Sequence, residues 1–547
     1  MKFQLALTLL VSTGFWCVAG CSSSSSSSAD GDGQGGSGGS NNPSGGSGGN
    51  TDDGGVDASM ADANIVDTNT GGTAGGGTNG QLDTTAWGPC QMVPIPAGLN
   101  ANMSARRTPA VAPKCLPVGS TVSRALSLMA TSTAAKRHKV KVLFYGQSIT
   151  KGGWVPATET YLQTTFPYAD FEFREEAVGG FWGPLLARTA DHDVLPWYPD
   201  LMVYHSYGPV QSILDLVRRR TTAEIMLQTH HSAVEKAADA VSGDRQSFIE
   251  LPELASRLGI HIVDIRGAWK AHLASSGQTA QSLTLPQPDG LHLNEEGNAL
   301  YAKITNDQLK YDANVIVDPL RMVTKYEVGK DVTWNGNKLT LKFDGNRVDV
   351  QAKAGIMHPA NAASILIDGK KPSDFVSAYA ITRPNREVDA DWPWKKGSVI
   401  RVTMDPILIP QIEEWTMKLT SINKAGNCTF TVTGSVTGAD GMGTCNSQFT
   451  STSKRIRIAA DDYWFGPPQG LDPPATISVG SEVKWNVYAL HADSYPLGKI
   501  DASDATKEYP TTIVQGISNG QHTLELTMTG AAAPAIEAIH VHRPPLR

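Results

Sequence analysis

Between residues 139 and 310, short apolar, β-branched runs alternate with stretches whose apolar positions recur at helical spacing. The runs Lys139–Tyr145, Asp170–Ala177, Leu201–Tyr204, Glu224–Gln228 and His261–Asp264 predict strands. Thr158–Thr165, Val210–Arg220, Ser247–Leu258 and Glu295–Leu309 predict helices between and after them. Strands apolar on both faces that alternate with helices imply a parallel sheet covered by helices on both sides. In such sheets ligands bind beyond the carboxyl ends of the strands. Chemistry is therefore expected just after those runs.

From about Val315 the pattern changes to short segments alternating apolar with polar residues: Lys338–Phe343, Arg347–Ala352, Ser364–Asp368, Ser398–Met404, Glu414–Ser421, Thr429–Thr433, Lys454–Ala459, Glu482–Ala489 and His522–Met528. Asp344-Gly345-Asn346 and Asn519-Gly520 read as turns between strands, and Asp440-Gly441-Met442-Gly443 as a further turn. Many short strands with few helical runs predict an all-β, antiparallel sandwich of jelly-roll type. Trp415 and Trp485, inside strand patterns, are expected in its core. Trp392 and Trp394 occupy an Asp-rich loop, where their rings either face a sugar or pack inward. The expected division is residues 1–20, 21–81, 82–138, 139–314 and 315–547: leader, tether, extension, α/β domain and β-sandwich.

The charge changes meaning once it is split along the 547 residues. The formal net charge is −7, and up to Ala105 one base, Lys2, stands against eight aspartates. The remaining chain is balanced, with 45 basic and 45 acidic residues. A neutral folded part argues against nucleic acid as a partner, because phosphate binding needs a basic face. The glycines are uneven too, with 18 of 54 between Gly31 and Gly80.

Lys2, an apolar run from Leu5 to Val18 and small residues before Cys21 describe a secretory leader, too short to span about 30 Å of hydrocarbon. Gly20-Cys21 resembles the bacterial lipobox, and Ser22 after the lipidated Cys21 implies export to the outer membrane. Serine- and glycine-rich sequence then runs to about Gln81 with almost no large apolar residues, so it cannot offset the entropy of ordering its backbone. A tether of ~60 residues would reach roughly 40–45 Å. Four cysteines remain, close in sequence as Cys90 with Cys115 and Cys428 with Cys445. An oxidising compartment should pair them that way. The alternative, a zinc site, lacks Cys-x-x-Cys or His-x-x-x-His spacing.

Two motifs carry chemistry. Gly146-Gln147-Ser148 follows the first predicted strand, where a strand-to-helix turn exposes a hydroxyl beside free backbone N–H groups. A helix N-cap is the plainer role for that serine. Far downstream, Pro288-Asp289-Gly290-Leu291-His292 precedes a helix. An Asp-x-x-His loop folds the carboxylate onto the Nδ1 of its own histidine and leaves Nε2 as a base, unless the aspartate merely caps the helix.

Gly-Gln-Ser, Gly179-Gly180 after the second strand and Asp-Gly-Leu-His-Leu near residue 290 together resemble the SGNH (GDSL-type) hydrolase superfamily over residues 139–310. The resemblance implies Ser148 as nucleophile, His292 as general base, Asp289 as its orienting carboxylate, and the Ser148 and Gly180 N–H groups as oxyanion hole. Gln147 is similar to the Gly-Gln-Ser variant of carbohydrate acetylesterases. The third block departs from the family: Val203-Tyr204-His205-Ser206-Tyr207-Gly208-Pro209 has no asparagine to donate to the oxyanion. Gln147, His205, Tyr207 and His230 are candidates for substrate or oxyanion contacts; His205 and Tyr207 otherwise pack beneath the site, and His230 and His231, after the fourth strand, either contact substrate or are structural.

The expected protein is a monomeric serine esterase that removes acetyl groups from an extracellular carbohydrate polymer, needs no metal or cofactor, and is held to the outer membrane by lipid. The alternatives are a catalytically weak carbohydrate-binding lipoprotein and an esterase or lipase for small acyl chains.

Overall fold

The computed structural model describes residues 88–89, 115–116, 120–386, 392–394, 397–466 and 477–547. The leader, Cys21, the tether, Asp389–Asp391 and the Cys90–Cys115 pairing lie outside the described residues. The described residues belong to one compact unit.

Its α/β part contains β1 (Lys139–Gly146), β2 (Asp170–Glu175), β3 (Leu201–His205), β4 (Glu224–Gln228) and β5 (His261–Val263). They form one parallel sheet in the order β2-β1-β3-β4-β5. Around it run α1 (Ser123–Thr131), α2 (Trp154–Thr165), α3 (Gly183–Asp193), α4 (Gln211–Arg220), α5 (Ala237–Arg245), α6 (Leu251–Leu258), α7 (Ile265–Ser276) and α8 (Glu295–Asn306). The two-residue period of a strand decides which helices it meets. Val142 and Phe144 enter a core with α1, α2, α7 and α8 residues such as Leu126, Leu162, Trp269 and Tyr301. Leu143 and Tyr145 enter the opposite core with Leu186, Ile213 and Leu258 of α3, α4 and α6. That second core continues into the β-rich region through Trp392, Ile400 and Trp464.

The β-rich region holds two larger antiparallel sheets. One is ordered Ser494–Tyr495, Ala363–Ile367, Pro510–Met528, Lys338–Ala352, Ile536–His542 and Val323–Glu327, with Trp334–Asn335 paired to Lys338–Ala352. The other is ordered Tyr379–Ile381, Glu482–Ala489, Glu413–Ile422, Cys428–Gly434 and Gly438–Thr444. Each covers its own core, the first around Phe343, Ile365 and Leu524, the second around Trp415, Phe430 and Trp485. Trp415 and Trp485 face each other across neighbouring strands and are buried, as expected. Cys428 and Cys445 are disulfide-bonded, Cα to Cα 5.1 Å, across the Cys428–Gly434 and Gly438–Thr444 hairpin.

Three expected turns are different in the structure. Asp344-Gly345-Asn346 does not reverse the chain: Lys338–Ala352 runs through it as one strand, its register shifting between Gly345 and Arg347. Asn519-Gly520 lies within the facing strand, with Gly345 opposite Gly520. A Cβ on Gly345 would stand 2.3 Å from the carbonyl oxygen of His542, so glycine serves a close backbone approach there rather than a turn. Asp440-Gly441-Met442-Gly443 likewise belongs to the strand Gly438–Thr444.

Candidate active site

The strand order reverses direction between β1 and β3, and the carboxyl ends of these two strands meet at one edge of the sheet. Gly146 closes β1 with φ +155°, and a Cβ there would fall 2.0 Å from the His205 carbonyl oxygen and 2.6 Å from Thr150 Oγ1. Only glycine lets β1 turn away this close to the end of β3. Gln147 then ties the two strand ends together: its N–H donates to the His205 carbonyl at 3.2 Å, and its Oε1 accepts the Tyr207 N–H at 2.9 Å. Ser148 opens the following 3-10 turn (Ser148–Lys151).

The Ser148 hydroxyl does not cap that turn. It lies 2.7 Å from His292 Nε2, and His292 Nδ1 lies 2.7 Å from Asp289 Oδ2. Asp289 Oδ1 accepts the backbone N–H groups of Leu291 at 2.9 Å and His292 at 2.7 Å. Desolvation opposes ionisation of Asp289, but these N–H donors and the His292 ring hold its carboxyl below the usual range. The cap of α8 is instead Asn294, whose side chain accepts the Gly297 N–H at 2.9 Å. Asn298, one turn on, accepts the Trp154 N–H at 3.1 Å and donates to the carbonyls of Leu293 and Asn294. It thereby couples the helix after the histidine to the helix after the serine.

Val178 to Phe181 form the loop after β2. Gly179 lies beside the serine, since a Cβ on it would be 3.7 Å from Ser148 Cβ. Gly180 has φ +74°, a left-handed conformation that favours glycine. Among the hydrogen bonds of the described residues, none takes the backbone N–H of Ser148 or of Gly180. Two candidate oxyanion donors therefore flank the Ser148 hydroxyl.

His205 and His230 expose 0% and 1% of their surface. His205 Nε2 lies 3.2 Å from His230 Nδ1, and His230 Nε2 lies 2.9 Å from Gln246 Oε1, whose amide donates to the Gly208 carbonyl at 2.7 Å. Tyr207 stacks on His230 at 4.3 Å between ring centroids. His231 Nε2 pairs with the Leu291 carbonyl at 2.9 Å, inside the Asp289–His292 loop. Burial pushes His230 and His231 down to about 4 and His205 well below the ordinary histidine value. They remain neutral at pH 7. The structure brings buried His205 and His230 together with half-buried Tyr207 under the site, with Gln147 buried beside them.

The β-rich region also reaches the site, which the sequence had left open. Trp394 Nε1–H donates to the Gly179 carbonyl at 2.6 Å. Trp392, its neighbour in the same loop, packs inward on Phe181 and on the Arg383 guanidinium. Arg383 forms hydrogen bonds with Asp193 at 2.6–3.0 Å and with the Glu176 carbonyl at 3.1 Å. Trp182, two residues beyond Gly180, is 53% exposed, and a Cβ on Gly208 would stand 3.8 Å from the tryptophan's own Cβ. The Gly-Gly-Phe-Trp string was its only sequence signal.

No protein-family model and no curated protein matches the chain. Among solved structures, the chain is similar to a two-domain esterase active on acetylated mannans, co-crystallised with mannopentaose. That likeness covers 74% of this chain and 91% of the other, at 14% identity and a TM-score of 0.27. It is also similar to an acetylxylan esterase from Geobacillus stearothermophilus, over 32% of this chain and 96% of the other, at 16% identity and a TM-score of 0.28.

Proposed function

We propose that the protein is a serine esterase that removes acetyl groups from a carbohydrate polymer outside the cell, exported and held at the outer membrane through a lipidated Cys21. The carrying observation is the unbroken chain Ser148 Oγ, His292 Nε2, His292 Nδ1, Asp289 Oδ2, with 2.7 Å at both contacts. Ser148 attacks the ester carbonyl while His292 takes its proton. Asp289 holds the ring tautomer with Nε2 facing the serine and stabilises the imidazolium. The Ser148 and Gly180 N–H groups receive the oxyanion. His292 then protonates the departing sugar hydroxyl, and water releases acetate from the acyl-serine by the same route.

The exposed indole of Trp182 beside this edge supports a sugar-bearing substrate, since an aromatic face packs against the C–H face of a pyranose. The burial of His205 favours the weaker alternative, a carbohydrate-binding lipoprotein with residual catalysis, because no third oxyanion donor comes from its ring. Acetate release from a panel of acetylated xylan, mannan and pectin by wild type and Ser148→Ala separates the two. The esterase reading expects release by wild type alone, and equal release, or none from either, overturns it.

A further inference from the structure

Gly179 contributes a carbonyl and Gly180 an N–H to one planar peptide unit, so what holds one end aims the other. The carbonyl end accepts the indole N–H of Trp394 at 2.6 Å, from a residue 215 positions away in the β-rich region. The ring also covers the other end: a Cβ on Gly180 would stand 2.8 Å from Trp394 Cζ2 and 3.5 Å from Cε2. Trp394 is itself clamped, edge-to-face with Trp464 at 5.2 Å and with Phe181 at 6.1 Å between centroids. A hydrogen bond to a peptide oxygen polarises the same unit and strengthens its N–H as a donor.

We infer that Trp394 is a positioning residue for the oxyanion hole, fixing and polarising the Gly179–Gly180 peptide so that the Gly180 N–H meets the developing charge above Ser148. This rests on the esterase reading. It makes the β-rich region a working part of the site: the fold around the serine supplies the donor, and the second region aims it. It also assigns the ring a different role from its loop neighbour. Trp392 is buried against Phe181, yet its Nε1 has no hydrogen-bond partner among the described residues.

The test is steady-state hydrolysis of p-nitrophenyl acetate by the full chain, with inhibition by a phenylboronic acid that forms a tetrahedral adduct on the serine. Wild-type turnover abolished by Ser148→Ala checks the underlying reading, and an inactive wild type overturns both together. Removing an oxyanion donor outright costs about 10²–10³ in rate, and misaiming one costs less. Trp394→Phe keeps a ring and loses the N–H. It is expected to lower kcat by about tenfold, leave KM within about twofold, and weaken the boronate by the same factor as kcat/KM. Trp392→Phe, the same chemical change two residues away, is expected to stay within about twofold of wild type in kcat. If Trp394→Phe does not fold, β-(3-benzothienyl)alanine at position 394 keeps the bicyclic shape and replaces the N–H with sulfur, and the same losses are expected. Unchanged kcat and boronate affinity without the N–H, or a rise in KM alone, overturns the inference while leaving the esterase reading intact.

Discussion

The guanidinium of Arg383 lies against the carboxylate of Asp193, with three nitrogen–oxygen contacts of 2.6–3.0 Å. Asp193 ends α3, the helix that begins just after Gly180-Phe181-Trp182, and Arg383 precedes the loop that carries Trp394. The same guanidinium reaches the Glu176 carbonyl at 3.1 Å, at the start of the Gly179–Gly180 loop. One cation thus joins the two regions at the base of the candidate oxyanion hole.

Replacing Arg383 by methionine leaves the buried Asp193 carboxylate without that partner, while Glu176 keeps Arg386. The expected loss is about 3–5 kcal/mol of unfolding free energy, since an uncompensated buried charge is costlier than the pair. Glu176 is already raised to about 7, by burial first and by the nearby Asp193 charge second. A raised carboxyl contributes stability fully present below its unfolded value near 4.5 and lost as pH rises through the folded value. The penalty of Arg383→Met should therefore be smaller at pH 5 than at pH 8. Urea titrations at both values check it, and an equal or larger loss at pH 5 contradicts it.

Asp289→Asn should lower kcat/KM by about 10³–10⁴ with little change in fold. An amide facing Nδ1 favours the tautomer whose proton sits on Nε2, where His292 must accept the serine proton. Initial rates on an aryl acetate measure the loss, and a drop of less than tenfold would show that Asp289 does not orient the base.

Gly146→Ala should cost at least about 3 kcal/mol, because overpacking is relieved only by moving backbone. The methyl would meet the His205 carbonyl at 2.0 Å. The denaturation midpoint of the variant reads this directly, and a wild-type midpoint would mean that β1 and β3 separate freely there.

His261, buried at the start of β5, is pushed down to about 4 by desolvation. A lowered histidine contributes stability present above its unfolded value near 6.5 and lost as pH falls through 4, because the unfolded chain takes the proton first. Glu224, raised to about 7 by burial, slopes the other way, so the wild-type curve mixes both. His261→Leu isolates one: between pH 4 and 6.5 the slope of unfolding free energy should fall by up to one proton, about 1.4 kcal/mol per pH unit. Identical slopes in the two proteins refute a neutral folded His261.

The parallel sheet was legible because its strands are apolar on both faces and short. Leu201–His205 and Glu224–Gln228 begin where the pattern places them. The helices α1, α3, α5 and α7 were less so, since small and polar residues such as Ala, Ser, Asp and His dilute their apolar stripe. The Asp-x-x-His loop was readable because its geometry is local: three residues suffice to fold Asp289 onto His292. The residues of the serine motif were visible too, but sequence left open whether Ser148 capped a helix or met a base 144 positions away.

That choice, and every one like it, belonged to the tertiary structure. Gly345 and Gly520 looked like turns because glycine marks both reversals and close approaches; at Gly345 the His542 carbonyl decides for a close approach, while Gly520 is simply its partner across the two strands. His205 stood where an oxyanion donor was wanted, yet the packing of β3 buried it against His230. Trp394 had two open readings, and the shared core around Trp392, Ile400 and Trp464 placed its N–H on Gly179. Periodicity and short-range motifs encode what neighbouring residues do to each other. Contacts between residues hundreds of positions apart depend on how whole surfaces fit, and no local pattern carries that.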